Sequence, residues 1–542
     1  MKDVMDISES HTERPANADM GLLHGERRIL ARQIDRGIQM SFSLSLAAVP
    51  ISYLTQVVLA RTSQQAVGIF GSILIWSALA LCFFFFGGNS VLIKFLPELP
   101  RERRFPFLLS YGGIVLGFTV LCMGILALFP GPLRYLAGPG TMKVVLPLLF
   151  LIGAVNILQQ FLLSALKGFL ELGVAQLLMR ISTVGYLAIF GSLFLMDAPL
   201  FRRHMLLVIA AVHIATVGLS SLLAVFYLLP HLEIRKSVFR GIFPEGFWRF
   251  SVLTQLSSTV NFFYSRLDQV FVLLYASISG LGIYFVMAQL AGAIQLISGF
   301  FLDGLLPAFT NVLARLGAAA TRSVYYQGAR LNQVIVTASA LFLISFDRPI
   351  LSVFGGEYPR YWPVLLVLAF FSGINSLGTL NAYLLTSMKR MGVLLFSQCL
   401  QIAVFVILFF ALGGRHSFLR LALAQGAANL LALVVLIVLT ARSLPFKLRV
   451  PRECWASLVM LSLAGGLVAW MKPLSFPVTI LFFGIALGAF FLAGGYRWDE
   501  IRSLLSLALL QRGREGQSFA ILPEPGLPQI NLAAGNVPEG KI

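Results

Sequence analysis

The sequence predicts an all-α polytopic membrane protein with about 14 transmembrane helices. These would form two parallel six-helix bundles around a central cavity, plus two extra C-terminal helices. The first observation behind this prediction is composition, since 58% of the 542 residues are hydrophobic and only 12% are charged. Soluble domains average about 25% charged residues. The second observation is the grouping of apolar residues into runs, and the third is an internal repeat.

The apolar runs have the length that a helix needs to cross a hydrocarbon core of about 30 Å. Their continuity excludes a β-barrel, the other structure that satisfies the backbone in lipid. The predicted spans are 37–60, 67–88, 107–129, 144–166, 172–195, 205–229, 247–275, 280–306, 331–354, 362–385, 391–413, 418–440, 454–471 and 476–494.

The two polar ends of the chain are predicted to be cytoplasmic tails. Residues 1–36 lack the order of basic stretch, apolar core and cleavage site that marks a secretory signal. Residues 495–542 begin with a short apolar and basic stretch that suits an interfacial helix. The first span would then serve as its own insertion signal.

The distribution of basic residues predicts the topology. With the N-terminus inside, 29 of the 41 Lys and Arg residues fall in cytoplasmic segments and 10 in external ones. This bias predicts that both termini are cytoplasmic. It also accounts for the formal net charge of +18. No zinc, aromatic-platform or helix-turn-helix pattern accompanies the charge, so we expect no nucleic-acid partner.

An internal repeat relates the two halves of the chain. The sequence LSALK ends span four at residue 167 and LTSMK ends span ten at residue 389, each with a glutamine nine residues later. A second pair of matching stretches opens spans two and eight. The repeat predicts six-helix bundles at 37–230 and 247–440, with 454–494 as an addition. Parallel repeats are typical of transporters that bind substrate between their halves.

Span seven carries a polar face. Ser and Thr often serve as packing contacts between helices, but amide and charged groups in hydrocarbon are costly and indicate a polar seam or a wet cavity. Gln255 and Arg266 lie on the strip of the helix surface next to this polar face. The residues on the polar face follow one another at helical spacing: Ser251, Thr254, Ser258, Asn261, Ser265 and Asp268.

Spans four and five add polar groups at helical spacing. Asn156 and Gln160 lie in span four, and Arg180 lies in span five, roughly 12 Å from its N-terminal end. Arg180 either faces a cavity or extends its side chain to the interface. Arg266 lies toward the C-terminal end of span seven. It either faces a cavity or anchors the helix at the membrane interface. Asp268 is two residues away and does not share its helical face, so we expect no direct ion pair within the helix.

No catalytic arrangement is visible in the sequence. Metal-ligand clusters, a nucleotide-binding glycine loop and paired carboxylates on a sizeable loop are all absent. The four cysteines have no metal-ligand spacing. We therefore expect a transporter with no cofactor, no metal and no enzymatic activity of its own.

Several short motifs are spread over residues 37–440. They are Ala60-Arg61 followed by Gly68-Ile69-Phe70, Ile93-Lys94-Phe95-Leu96-Pro97, Arg266-Leu267-Asp268-Gln269 with Gly282-Ile283-Tyr284, Leu306-Pro307-Ala308-Phe309, and Phe354-Gly355-Gly356-Glu357-Tyr358. Each is weak alone, but in their order and spacing they resemble the oligosaccharide flippase family of the multidrug/oligosaccharidyl-lipid/polysaccharide exporter superfamily.

The resemblance implies that the chain translocates an undecaprenyl-pyrophosphate-linked oligosaccharide across a bacterial inner membrane by alternating access. It implies membrane lipids, a polysaccharide polymerase and glycosyltransferases as partners. The substrate-binding residues would be Arg180, Arg266, Asn261, Asn156, Gln160 and Gln255. Asp268 would orient Arg266 through a neighbouring helix or carry a coupling proton.

Three alternatives stay open. A lipid-linked peptidoglycan precursor flippase also has fourteen spans, but such proteins are richer in arginine, and spans two and eight contain none here. A drug or cation antiporter of the same superfamily would show acidic residues deep in several spans, where this chain has little besides Asp268. A glycan polymerase or ligase would need catalytic residues on a large external loop, and every loop here is short.

Overall fold

A computed structural model describes most of the chain between residues 40 and 496. The described residues are 40, 43–44, 47–128, 142–196, 201, 203–232, 242–302, 305–388, 390–414, 417–443, 450–470 and 475–496. Within these ranges the regular structure is helical, without strands. The predicted tails, 1–36 and 497–542, lie outside the described residues.

Sixteen α-helices follow one another along the described chain. Helix α1 covers 47–62, with residues 40, 43 and 44 also helical. The others are α2 (Gln64–Phe84), α3 (Gly88–Glu98), α4 (Arg101–Leu128), α5 (Met142–Gly168), α6 (Leu172–Leu195), α7 (Met205–Leu228), α8 (Phe247–Tyr275), α9 (Ile278–Leu302), α10 (Leu305–Ser345), α11 (Asp347–Phe354), α12 (Trp362–Ser387), α13 (Met391–Ala411), α14 (Phe418–Ser443), α15 (Arg452–Trp470) and α16 (Phe476–Gly494).

Twelve of the described helices are long and apolar enough to cross a membrane. Two predicted spans are not among them. Span one is described only in part, and α8 has sufficient length, at 29 residues, but carries the polar face that lowers its hydropathy. The predicted all-α polytopic membrane fold is confirmed.

Span two ends earlier than predicted. The sequence predicts one helix over 67–88, whereas α2 ends at Phe84 and a separate helix, α3, begins at Gly88. Gly87 and Gly88 have φ values of 77° and 61°, in the left-handed region that glycine enters without steric cost. The two glycines therefore interrupt a run that is apolar throughout.

Span nine also differs from its prediction over 331–354. Helix α10 extends without interruption from Leu305 to Ser345, and the short helix α11 follows from Asp347. The Asp347 carboxylate accepts the backbone N–H of Arg348 at the start of α11. An acidic side chain at a helix start is electrostatically favourable, so the break is encoded locally.

The described chain separates into two compact units. Unit 1 comprises residues up to Val286 together with Val353–Tyr358, and unit 2 comprises Met287–Ser352 and the residues from Pro359 onward. Helix α8 belongs to unit 1, where it packs against α2 and α3. The predicted bundles at 37–230 and 247–440 stay a prediction.

Unit 1 contains a close crossing between α2 and the start of α9. A Cβ atom added to Gly68 would lie 1.9 Å from the carbonyl oxygen of Ile278, and one added to Gly282 would lie 2.1 Å from that of Gln64. The two backbones thus approach each other at paired glycines, which larger residues cannot replace without a shift.

In unit 2 the two C-terminal helices pack against α10. Leu461 and Ala464 of α15 lie in one buried apolar cluster with Val336 and Ala340 of α10. At the end of this contact, Arg330 Nε lies 3.2 Å from Glu453 Oε1. Helices α15 and α16 are therefore part of the core of unit 2.

Candidate functional site

Two basic side chains in unit 1 lie within reach of each other's electrostatic field. Lys167 is at the C-terminal end of α5, and Arg180 is the ninth residue of α6, so it lies about 12 Å along that helix. Both side chains are half-buried, and the positive charge of Arg180 acts repulsively on Lys167. Like charges in a medium of low dielectric repel strongly, and a bound anion offsets that repulsion.

Arg266 and Asp268 lie near each other on α8, each held by a different partner. Arg266 Nη1 donates to Gln269 Oε1 at 3.0 Å, one helical turn away. The Tyr284 hydroxyl of α9 donates to Asp268 Oδ2 at 2.8 Å. The charges of Arg266 and Asp268 attract each other. The hydrogen bond of Arg266 goes to Gln269, and that of Asp268 comes from Tyr284. The roles of both residues in transport stay predictions.

Gln255 bridges the break between α2 and α3. Its Oε1 accepts the Gly87 N–H at 3.1 Å, and its Nε2 donates to the carbonyl of Phe83 at 3.3 Å and to that of Cys82. The Thr254 hydroxyl donates to the Gly87 carbonyl at 3.0 Å. Part of the polar face of α8 thus satisfies backbone groups that the interrupted helix leaves unpaired. A contact between Gln255 and substrate stays a prediction.

Asn156 lies in a buried polar network. Its Nδ2 is 2.8 Å from the carbonyl oxygen of Ile152, 2.8 Å from His213 Nε2 and 3.1 Å from Ser77 Oγ. The Tyr186 hydroxyl lies 2.7 Å from His213 Nδ1. The network joins α2, α5, α6 and α7, and the side chain of Asn156 is only 7% exposed.

The remaining two predicted site residues lie at less enclosed positions. Gln160 of α5 is half-buried, one helical turn from Asn156. Asn261 is exposed on α8. All seven predicted site residues fall within unit 1, and the hydrogen bonds of Asn156, Gln255, Arg266 and Asp268 go to different partners.

Sequence reasoning missed the residues that surround Asn156. Gln159 Nε2 donates to Ser220 Oγ at 2.9 Å, and Ser220 Oγ donates to the Leu178 carbonyl at 2.8 Å. With His213, these groups form a polar seam between α5, α6 and α7. The signal was present in α7, where His213, Thr216 and Ser220 recur at helical spacing in an otherwise apolar span.

Among the described residues, no group of three or more His, Cys, Asp or Glu side chains could hold a metal.

Comparisons with solved structures give the class of this fold. The lipid II flippase MurJ in an inward closed conformation matches with a TM-score of 0.61 and 15% identity, over 87% of this chain and 99% of that one. A multidrug resistance MATE family transporter in an inward-facing conformation matches with a TM-score of 0.56 and 12% identity, over 75% and 98%. A MOP superfamily transporter from Pyrococcus furiosus matches with a TM-score of 0.52 and 13% identity, over 81% of this chain and 96% of that one. These similarities show the fold of the chain, which it shares with these polytopic membrane proteins.

The family follows from the sequence itself. Residues 35–313, just over half of the chain, match the family described as polysaccharide biosynthesis protein. The chain belongs to this polysaccharide biosynthesis protein family. No curated protein matches it in sequence.

Proposed function

We propose that the protein flips an undecaprenyl-pyrophosphate-linked oligosaccharide across the bacterial inner membrane, by alternating access, for the synthesis of a surface or exported polysaccharide. The observation that carries this proposal is the pair of half-buried cations, Lys167 and Arg180, in a member of a polysaccharide biosynthesis family. Membrane lipids, a polymerase and glycosyltransferases are the proposed partners, and both termini are proposed to be cytoplasmic.

The cation pair suits the chemistry of a pyrophosphate. The guanidinium of Arg180 offers a planar fork that binds two phosphate oxygens, and the ammonium of Lys167 adds a compact charge beside it. A doubly anionic head group would offset the repulsion between the two cations. The polyprenyl tail would stay in lipid, and the amides of Gln160 and Asn261 would bind sugar.

Arg266 is proposed as a second phosphate station on the same path. It is nine residues before the end of α8 at Tyr275, about 13 Å along the helix. Its distance from that end therefore matches the distance of Arg180 from the start of α6. Gln269 holds the guanidinium in place, and Asp268 is proposed to orient it or to carry a coupling proton.

Export of glycan by cells that carry single substitutions tests the proposal. A charge-assisted contact contributes about 1.5–3 kcal/mol, so Arg180→Ala, Lys167→Ala and Arg266→Ala should each weaken substrate binding about tenfold to a hundredfold. Arg180→Lys keeps the charge but loses the fork, and should restore export only in part. Arg101→Ala is the matched control, because it removes an exposed basic residue at the start of α4.

Protein amounts in the membrane must be equal in all strains. Wild-type export by all three alanine variants would reduce the three residues to interfacial anchors and would remove the support for a pyrophosphate substrate. Expression of the wild-type protein separates the alternatives. If it restores the flipping of peptidoglycan precursors in cells that lack this activity, or if it confers drug resistance, the protein belongs to one of the other two substrate classes.

A further inference from the structure

The buried network around His213 has a defined arrangement of donors and acceptors. Nδ2 of Asn156 faces the Ile152 carbonyl at 2.8 Å, one turn earlier in α5, and this contact fixes the orientation of the amide because its oxygen would be repelled there. Nδ2 of the same amide faces His213 Nε2 at 2.8 Å. His213 Nε2 must therefore accept a hydrogen bond, and it carries no proton in this arrangement.

The other ring nitrogen then carries the proton. A neutral imidazole whose Nε2 accepts has its hydrogen on Nδ1, which donates to the Tyr186 hydroxyl at 2.7 Å. Ser77 Oγ donates to the Ile73 carbonyl at 2.7 Å and lies 3.4 Å from Nε2. The network is thus complete only with neutral His213, whose side chain is 2% exposed.

We propose that His213 is a proton-binding site and that protonation opens this network. A proton taken from water onto Nε2 would place an N–H group against the N–H₂ group of Asn156, two donors facing each other. Asn156 must then turn its amide, so that Oδ1 accepts from the new N–H group and the Ile152 carbonyl and Ser77 Oγ lose their contacts with Nδ2. The contact that ties α5 to α2 is lost, and it forms again when the proton leaves.

Helices α5 and α6 connect this site to the cation pair. Helix α5 carries both Asn156 and Lys167, 11 residues or about 16 Å apart. Helix α6 carries both Tyr186 and Arg180, six residues or about 9 Å apart. Protonation changes how α5 is held at His213 while α6 keeps its contact with the imidazole, and it therefore changes the spacing of Lys167 and Arg180. Proton binding and anion binding become coupled, a conclusion that rests on the proposed function.

Few charged groups on the surrounding helices compete for this role. Helix α7 packs against α2, α5 and α6. Helix α2 has no ionisable side chain except Cys82, and α7 has none besides His213 and Tyr227. The charged residues of α5 are Lys143 and Lys167 near its two ends, and that of α6 is Arg180. Tyr186 is the titratable group in direct contact with the imidazole.

The purified full-length protein, in nanodiscs and without substrate, allows a direct test. Trp76 precedes Ser77 in α2 and donates to the Leu149 carbonyl of α5 at 2.7 Å, so its fluorescence reports on the contact between the two helices. Subtracting the signal of Trp76→Phe isolates this residue from the other tryptophans. We expect a reversible change in fluorescence between pH 8 and pH 4. Hydrogen exchange of α5 and α7, corrected for its intrinsic pH dependence, should become about tenfold faster at the lower pH, as the loss of one or two hydrogen bonds implies.

His213→Gln is the decisive variant. Glutamine can accept from Asn156 and donate to Tyr186, as neutral histidine does, but it cannot take up a proton. It should retain the fold and lose both pH responses. Asp347→Asn is the matched control, because burial raises the pKa of Asp347, outside the membrane spans, to about 6, and its titration overlaps the same range. That control should keep the Trp76 response.

The possible outcomes are distinct. A wild-type protein with no Trp76 response, or a folded His213→Gln protein that keeps it, overturns the proton site. If His213→Gln does not fold, the wild-type titration decides alone. Glycan export is measured separately: a normal pH response without export would refute the proposed function and leave the proton site standing.

Discussion

The two units differ in the chemistry of their buried polar groups. Those of unit 1 include the ionisable side chains of His213 and Asp268, and Lys167 and Arg180 are half-buried. In the described part of unit 2, three buried hydrogen bonds between helices join uncharged groups: Ser298 with Asn332, Tyr325 with Asn381, and Thr337 with Ser457. Unit 2 also has ionisable groups, namely buried Asp347 and the partly exposed Arg330–Glu453 pair.

This difference teaches that the two units pair their polar groups in different ways. A neutral amide or hydroxyl pair is satisfied by one hydrogen bond, and its net contribution is about 1 kcal/mol. An ionisable group within a membrane is costly unless it has a counter-charge, and such groups mark ligand and proton pathways. We therefore propose that the working chemistry of the protein lies in unit 1, which contains all seven predicted site residues.

The largest effect is expected at the close crossing in unit 1. Gly68→Ala would place a methyl group against the backbone carbonyl of Ile278, which cannot move without its helix, so we expect a loss of about 3 kcal/mol or more. Gly426→Ala in unit 2 meets the ring of Phe371, which can turn, so we expect about 1–2 kcal/mol. Thermal unfolding in detergent measures both.

Gly117→Ala is the control for this pair. Nothing lies within 4 Å of a Cβ added there, and alanine in a helix is favoured over glycine by about 0.5–1 kcal/mol. This variant should be as stable as wild type or slightly more stable. Equal losses at Gly68 and Gly426 would show that the crossing in unit 1 is no more rigid than the packing in unit 2.

A smaller effect is expected at the break between α2 and α3. Gln255→Leu removes the amide that binds the Gly87 N–H and the Cys82 and Phe83 carbonyls, and leaves buried polar groups unsatisfied. We expect a loss of about 1–3 kcal/mol. Asn261→Leu, at an exposed position of the same helix, should leave stability unchanged. A stable Gln255→Leu protein with impaired export would instead favour a substrate contact for Gln255.

The smallest effect is expected for the ion pair of unit 2. Glu453→Gln removes one partner of Arg330, which still donates to the Gly495 carbonyl at 3.0 Å and lies over the ring of Tyr496. A partly exposed pair contributes about 1 kcal/mol or less, so stability should fall slightly. At matched protein amounts export should equal wild type, in contrast to Arg180→Ala. A loss of export comparable to that of Arg180→Ala would end the division of roles between the units.

Sequence reasoning predicted the helices well because apolar length is a local property. The run over 172–195 was predicted with the bounds that α6 has. Sequence reasoning could not predict the break at Gly87, because the residues around Gly87 are apolar and the partners that stabilise the break lie on α8.

The candidate site was harder to predict for a related reason. Sequence shows that Asn156 and Gln255 are too polar to face lipid, but not whether each meets a ligand or a neighbouring helix. Arg180 and Lys167 were visible as separate basic residues. Their proximity depends on how α5 and α6 pack, which no spacing within one helix reveals.

The break between α2 and α3 also constrains how the protein is made. The carbonyl of Cys82 precedes its partner Gln255 by 173 residues. At roughly 5–20 residues per second, the ribosome needs about 10–35 s to supply that partner. During this interval the backbone groups at the break need other hydrogen-bond partners, because an unpaired buried group costs free energy. The final geometry of the break is therefore completed only after the synthesis of α8.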